Sequence, residues 1–266
     1  MLEALRRMFL RFGLHVRRIT RVQDLNELVD FLSPAKCDDL IRVGSHNDGG
    51  YLLPSRSTKE IKHLYCAGVA DDCNFELEFL RIGAGKKAFL ADASIDALPK
   101  TGENISFIKK YIGTSTFDNW ISFEDWAGPK SLSDPPRMLS MDIEGGEWSL
   151  FQNRFSDTWA SFDLIIIELH GMHRAFDQTY FDLQIRPMIT ALSGFRAVHA
   201  HANNSGWIEK SRGFALPSLL EMTFLRVDRG GISRDQAALP NKLDSPNVPS
   251  KRDLTFKGFR YRSPKK

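Results

Sequence analysis

The chain predicts a mostly parallel, doubly wound α/β sheet of Rossmann-like type, and three observations carry that expectation. From Lys62 onward, short apolar runs alternate with segments of helical period. Several of these runs are apolar throughout, as strands covered on both faces are. They end on side chains that can do chemistry: Asp92, Asp142, and the pair Glu168 and His170. In open α/β sheets, ligands bind at that carboxyl edge.

In the first segment Leu2, Leu5, Met8, Phe9, Phe12, Val16 and Ile19 recur at helical spacing among Arg6, Arg7, Arg11, Arg17 and Arg18. This reads as a basic amphipathic helix. Such a helix suits an anionic membrane surface, or packing on the domain or on a second subunit of a homo-oligomer. A second helix fits Val22–Leu32 and stops at Ser33 and Pro34. Residues 40–54, LIRVGSHNDGGYLLP, read as a hairpin whose Asn47-Asp48-Gly49-Gly50 turn needs no ligand to explain it. A strand over His63–Ala67 leads through a turn, Gly68 to Asn74, into a helix from Phe75 to Ile82. Strands over Lys87–Ala91, ending at Asp92, and from Ile105 to Lys110 follow. After a long connection with Trp120 and Trp126, a strand bearing Met138, Leu139 and Met141 ends at Asp142. Trp148, Phe151 and Phe155 then mark the buried face of one helix. Next come a β-branched strand from Leu164 to Ile167, a helical segment from Tyr180 to Leu192, a strand from Phe195 to His201 and a last strand from Leu219 to Val227. Beyond Asp228 the chain is polar, with Pro240, Pro246, Pro249 and Pro264. It reads as a surface-wrapping extension or a partly disordered tail. The expected organisation is an N-terminal helical segment (1–37), one domain (38–230) and a C-terminal extension (231–266).

A length of 266 residues with 42% hydrophobic composition suits one large domain. No apolar run approaches the roughly 20 residues of a membrane span, and the N-terminal leucines are too mixed with arginines for a secretory signal. The expected location is the cytoplasm, with contact at a membrane surface through the basic helix as a variant. Cys37, Cys66 and Cys73 are odd in number and lack CxxC spacing, which fits a reduced compartment rather than a disulfide framework or zinc site. The net charge of +3 is unevenly spread: six arginines crowd residues 1–21, seven Lys or Arg crowd residues 250–266, and the body between is acidic. An acidic body whose aromatics do not interleave with a basic patch argues against nucleic acid as a partner.

The densest chemistry lies in RMLSMDIEGGEW, residues 137–148. Asp142 is the first polar residue delivered to the sheet edge. If the chain stays extended, Glu144 points the same way, because strand side chains alternate with period two. Acids that merely complement a helix N-terminus are the plainer alternative. Gly68 after the first parallel strand and Asp92 after the next stand 24 residues apart, near the roughly 20 expected when a glycine turn and a ribose-binding acid cooperate. CAGVADD is not GxGxxG, however, and it sets Asp71 and Asp72 where a pyrophosphate would be repelled. That favours a ribose-bearing, phosphate-free and cationic ligand, above all S-adenosylmethionine. His170 shares a strand face with Glu168, and His199 shares one with His201. With Asp142 and Glu144, His170 makes a set suited to general-base work or to a divalent metal. Each histidine is equally at home as a hydrogen-bonded core or rim residue.

The order NDGGY, GVADDCNFELEF, the strand ending at Asp92, MDIEGGEW, IIIELHGMH, HAHANN and LPSLLEMTFLR resembles the FkbM-type S-adenosylmethionine-dependent methyltransferases. The similarity is strongest to the methyltransferase-like branch with a DGGY segment. It spans roughly residues 38–254, including a late LDSPNVPSKRDL segment, and MDIEGGEW is its most specific element. The resemblance implies a class I methyltransferase fold and O-methylation of a sugar, glycoconjugate or natural-product hydroxyl. It implies that Gly68, Asp92 and Asp142 lie at or near the cofactor and that Asp48, Gly49 and Gly50 belong to a loop closing over it. The single glycine of CAGVADD departs from the several that many methyltransferases carry. The resulting expectation is that Asp142, Glu144 and His170 position the acceptor hydroxyl and take its proton, with a divalent metal on the same groups as an alternative. A non-catalytic S-adenosylmethionine- or nucleotide-binding module, and a nucleotide-dependent oxidoreductase or sugar-modifying enzyme, are the rival functions on such a sheet.

Overall fold

Thirteen strands are found among the described residues of a computed structural model, which cover 9, 11–12, 17–129, 131, 134–152, 155–230 and 233–261. Most of the expected basic N-terminal helix lies outside these residues, as does Pro264. The strands are β1 (Leu40–Gly44), β2 (Gly50–Pro54), β3 (His63–Ala67), β4 (Lys87–Ala91), β5 (Ile105–Ile108), β6 (Tyr111–Gly113), β7 (Trp120–Ser122), β8 (Arg137–Met141), β9 (Leu164–His170), β10 (Phe195–Ala202), β11 (Ile208–Ser211), β12 (Phe214–Pro217) and β13 (Leu219–Arg226).

Seven of them form the central sheet in the order β10-β13-β9-β8-β3-β4-β5. The five strands from β9 to β5 pair in parallel, while β13 runs antiparallel to both β9 and β10. The apolar runs make physical sense in this setting, because both faces are covered. Leu64 and Cys66 of β3 join Met138 and Ile166 in one apolar cluster; the alternate residues Tyr65 and Ala67 join Leu139, Ile165 and Ile167 in the other. Burying each such aliphatic side chain contributes about 1.5–3 kcal/mol, so the centre of the sheet is the rigid base on which the edge residues stand.

The topology places the site. From β3 the chain builds outward through β4 and β5, then returns across β3 to add β8 and β9 on the other side. The strand order therefore reverses between β3 and β8, where connections leave in opposite directions and open a crevice. Gly68 follows β3 and Asp142 follows β8. The Asp142 N–H donates to the Ala67 carbonyl at 2.9 Å. Gly68 adopts φ +82°, and a Cβ there would run into the Asp142 carbonyl. Close approach of the two chain ends, as well as turn geometry, requires this glycine.

Several elements differ from the sequence expectation. The single helix after β8 is two short ones, Glu147–Phe151 and Ser156–Ala160. Trp148, Phe151 and Phe155 are nevertheless all buried in one cluster. Their spacing reported a common buried side, which two short helices satisfy as well as one. The helical segment around Tyr180 starts at Gln178, where Asp177 caps the Thr179 N–H at 2.8 Å, and it contains a π-helical turn over Phe181–Ile185. The small β6/β7 and β11/β12 pairs arise in stretches left unassigned from sequence. Described residues of the C-terminal extension lie along the domain, with Phe256 and Phe259 buried and Gln236 bridged to Ala35. Among the described residues no helix is long and apolar enough to cross a membrane.

Candidate active site

A cleft of about 320 Å³ opens at the β3/β8 crevice, within the size range of small-molecule sites. Its wall gathers Asp48, Gly49, Gly68, Asp92, Asp142 and Glu144, all expected from sequence, together with Asp71, Asp72, Glu76 and Ser94. Among the described residues, seven carboxylates and the single Lys110 line it, with Tyr51, Phe75, Tyr111 and Ile112 supplying apolar surface. Two expected residues lie outside this wall. Gly50 pairs with Gly44 at the start of β2, where a Cβ would strike the Ser45 carbonyl, so its task is to let the hairpin loop close. His170 stands beside Asp142 but does not line the cleft.

Asp92 is 7% exposed and its carboxylate is heavily engaged. One oxygen accepts the Val69 and Ala70 N–H groups at 2.9 and 3.0 Å; the other accepts the Ser94 N–H and hydroxyl at 2.7 and 2.6 Å. Burial opposes ionisation here, but these four donors outweigh it and hold the group below the usual carboxylate range. Asp92 thus braces the glycine turn and presents Ser94 to the cleft.

The chain beyond β8 does not stay extended. Glu144 turns left-handed (φ +55°) and Gly145 follows at φ +97°, a conformation that a non-glycine residue adopts at a cost. The turn still brings Glu144 to the expected neighbour: its Oε2 lies 3.3 Å from His170 Nε2, and Asp142 Oδ1 lies 3.7 Å from the same nitrogen. Glu168 Oε1 is 4.0 Å from the same nitrogen, and at the other nitrogen Glu147 Oε1 is 3.3 Å from His170 Nδ1. Glu147 is fully buried and builds this corner. One of its oxygens accepts the His170 backbone N–H at 2.8 Å and the other accepts the Gly145 N–H at 2.9 Å. Asp142 Oδ1 is buried without a hydrogen-bond partner among the described residues.

One imidazole therefore faces four carboxylates, and among the described residues no Lys or Arg ion-pairs with any of them. Burial disfavours charge on His170, but Glu147, Glu168 and Asp142 outweigh it and lift its pKa to about 9. Burial, reinforced by Glu144, Asp48 and Glu147, raises Asp142 to about 6 against the pull of His170. Burial and Asp142 push Glu168 up to about 9. The group titrates as a unit: burial and mutual repulsion favour proton retention on Asp142 and Glu168, while the surrounding carboxylates favour the charged imidazole. Asp142, Glu144 and His170 also each offer one ligand atom, all within 4.8 Å of one another. Oxygen and imidazole donors at that spacing suit a divalent cation.

His199 and His201, expected as further members of this edge, belong to another cluster. His199 Nε2 meets Asp244 Oδ1 at 2.8 Å, and His201 Nδ1 faces Asp244 Oδ2 at 3.7 Å. Both rings are spent on a carboxylate from the C-terminal extension. Glu147 carries no functional signal in the sequence beyond its place in GGEW, whereas Glu168 is marked there by sharing a strand face with His170.

Neither the protein-family models nor the curated proteins contain a match to this chain. Among solved structures, the chain is similar to a putative hemolysin from Streptococcus thermophilus at 10% identity and TM-score 0.32, over 80% of this chain and 69% of that one. It is similar to the O-methyltransferase NcsB1 from neocarzinostatin biosynthesis, in complex with S-adenosyl-L-homocysteine, at 12% identity and TM-score 0.27, over 61% of this chain and 49% of that one. A precorrin-6y C5,15-methyltransferase from Geobacter metallireducens matches at 7% identity and TM-score 0.28, over 65% and 87%. Two of these three structures are methyltransferases, and the functional case rests on the site itself.

Proposed function

We propose that the protein transfers a methyl group from S-adenosylmethionine to a hydroxyl of a sugar, glycoconjugate or natural-product acceptor. The observation that carries this is the charge of the cleft: seven carboxylates against one lysine, at the switch point of a doubly wound sheet. A pyrophosphate-bearing cofactor would be repelled there, whereas a ligand with ammonium and sulfonium charges would be held. The mostly parallel sheet is compatible with the class I methyltransferase fold that the sequence resemblance implies.

When bound, S-adenosylmethionine supplies an activated methyl group, whose transfer forms a C–O bond, breaks a C–S bond and leaves a neutral thioether. Asp48 and Asp142 hold the cationic end, Ser94 and the turn braced by Asp92 take the ribose side, and Tyr111 and Ile112 give the base an apolar wall. Asp142 accepts the hydroxyl proton. His170, kept cationic by Glu147, fixes the ionised state and orientation of Asp142, and Glu144 bounds the acceptor side. A specific observation favours a second form of the same reaction. The orphaned Asp142 Oδ1 and the convergence of Asp142, Glu144 and His170 suit a divalent cation that would acidify the hydroxyl directly.

Thermal unfolding with S-adenosylmethionine or S-adenosylhomocysteine, each with and without Mg²⁺ or Mn²⁺, tests both forms. A rise in Tm with either ligand is the expected result. A further rise that needs the metal selects the cation-assisted form, and no rise with either ligand removes the proposal.

A further inference from the structure

The C-terminal extension reaches Asp48 of the cleft wall through one side chain. Asn247 is 5% exposed, and its amide nitrogen donates to Asp48 Oδ1 at 2.9 Å and also to Glu221 Oε1, while its carbonyl oxygen faces His201 Nε2 at 3.2 Å. Its orientation is chemically forced: reversing the amide would set a carbonyl against two carboxylates. The residues around it are bolted down. Asn204 donates to the Val248 carbonyl at 3.0 Å and accepts the Val248 N–H at 2.8 Å, and Asp244 is held by His199. Asp48, by contrast, sits in the tight loop between β1 and β2.

We propose that Asn247 is a positioning residue for the cofactor, holding the Asp48 carboxylate over the cleft so that it meets the ligand's ammonium group. The amide spans about 200 residues of sequence to join the extension to that loop, and it spaces Asp48 from Glu221 by donating to both. Without it, the buried Glu221 carboxylate loses its amide donor and the exposed Asp48 carboxylate loses its tether beside the cleft. The extension then braces a residue of the cleft wall from behind rather than trailing as a tail.

This rests on the S-adenosylmethionine proposal, and two probes separate the two. S-adenosylhomocysteine carries the amino-acid portion; 5′-methylthioadenosine lacks it. In calorimetric titrations of the full chain, Asn247→Ala is expected to weaken S-adenosylhomocysteine roughly tenfold, the effect of about one charge-assisted contact, and to leave methylthioadenosine unchanged. Asp48→Asn is expected to show the same selective loss, and the double variant no further loss. Equal weakening of both ligands by Asn247→Ala, or no weakening of either, overturns the role of Asn247 while leaving the cofactor in place. A wild-type chain that binds neither ligand overturns the cofactor proposal and this one with it. Should Asn247→Ala not fold, hydrogen exchange of the Ser45–Gly49 amides in Asn247→Ser serves instead: faster exchange confined to that loop supports the role, and unchanged exchange contradicts it.

Discussion

Two clusters of histidine and carboxylate stand on the same edge of the sheet, and they serve opposite ends. At β8 and β9, His170 faces four carboxylates at 3.3–4.0 Å, Asp142 keeps a buried oxygen without a partner, and the cleft lies alongside. At β10, His199 and His201 share Asp244, both rings are buried, and none of the three lines the cleft. Burial opposes ionisation of Asp244, but the two histidines hold it far below the usual carboxylate range. Residue type does not separate these clusters; saturation does. A cluster with every lone pair engaged locks two segments together, whereas one with an excess of carboxylates and an unused acceptor has capacity left for a proton or a cation.

The contrast makes quantitative demands. The largest expected effect is on turnover: Asp142→Asn should lower kcat/KM about a thousandfold, within the range for loss of a general base, with an unchanged circular dichroism spectrum. Full activity would move Asp142 to the structural side of the comparison. The counterpart is Asp244→Ala, which strands two buried imidazoles; urea unfolding should show a loss of about 3–5 kcal/mol, and a stability change near zero would break the contrast from the other side. Third, the rate should climb as pH rises through about 6, where Asp142 loses its proton, and Asp142→Glu should shift that limb. The smallest effect is on stability. His170 has a folded pKa near 9, above its unfolded value, so its contribution is complete below about 6.5 and is lost as pH rises through 9. Glu168, raised to about 9, acts in the same direction as it ionises. Tm should therefore fall between pH 6.5 and 9, and fall less in His170→Gln.

The parts of the molecule governed by local periodicity were legible from sequence. β3, β8 and β9 announced themselves as mainly apolar runs because both faces are covered, and Asp142 stood out as the acid that follows such a run. The antiparallel direction of β13 was not, because strand direction depends on connections rather than on alternation. Glu144 reached the expected neighbour by an unexpected route: the Glu144-Gly145 turn is left-handed, and period-two reasoning holds only for an extended chain. His199 and His201 were drawn toward the catalytic edge because the carboxylate that engages them lies 45 residues from His199. Gly50 looked like part of a ligand loop, but it faces the Ser45 carbonyl. Asn247 carried no local signal at all; its significance comes from partners across the whole chain.

The central claim is that the acidity of the cleft selects a phosphate-free adenosine ligand bearing an ammonium group. A calorimetric titration of the full chain with S-adenosylhomocysteine and, separately, with NAD⁺ tests it most directly. The structure predicts saturable one-to-one binding of S-adenosylhomocysteine and none of NAD⁺; binding of NAD⁺ with equal or greater affinity would contradict it.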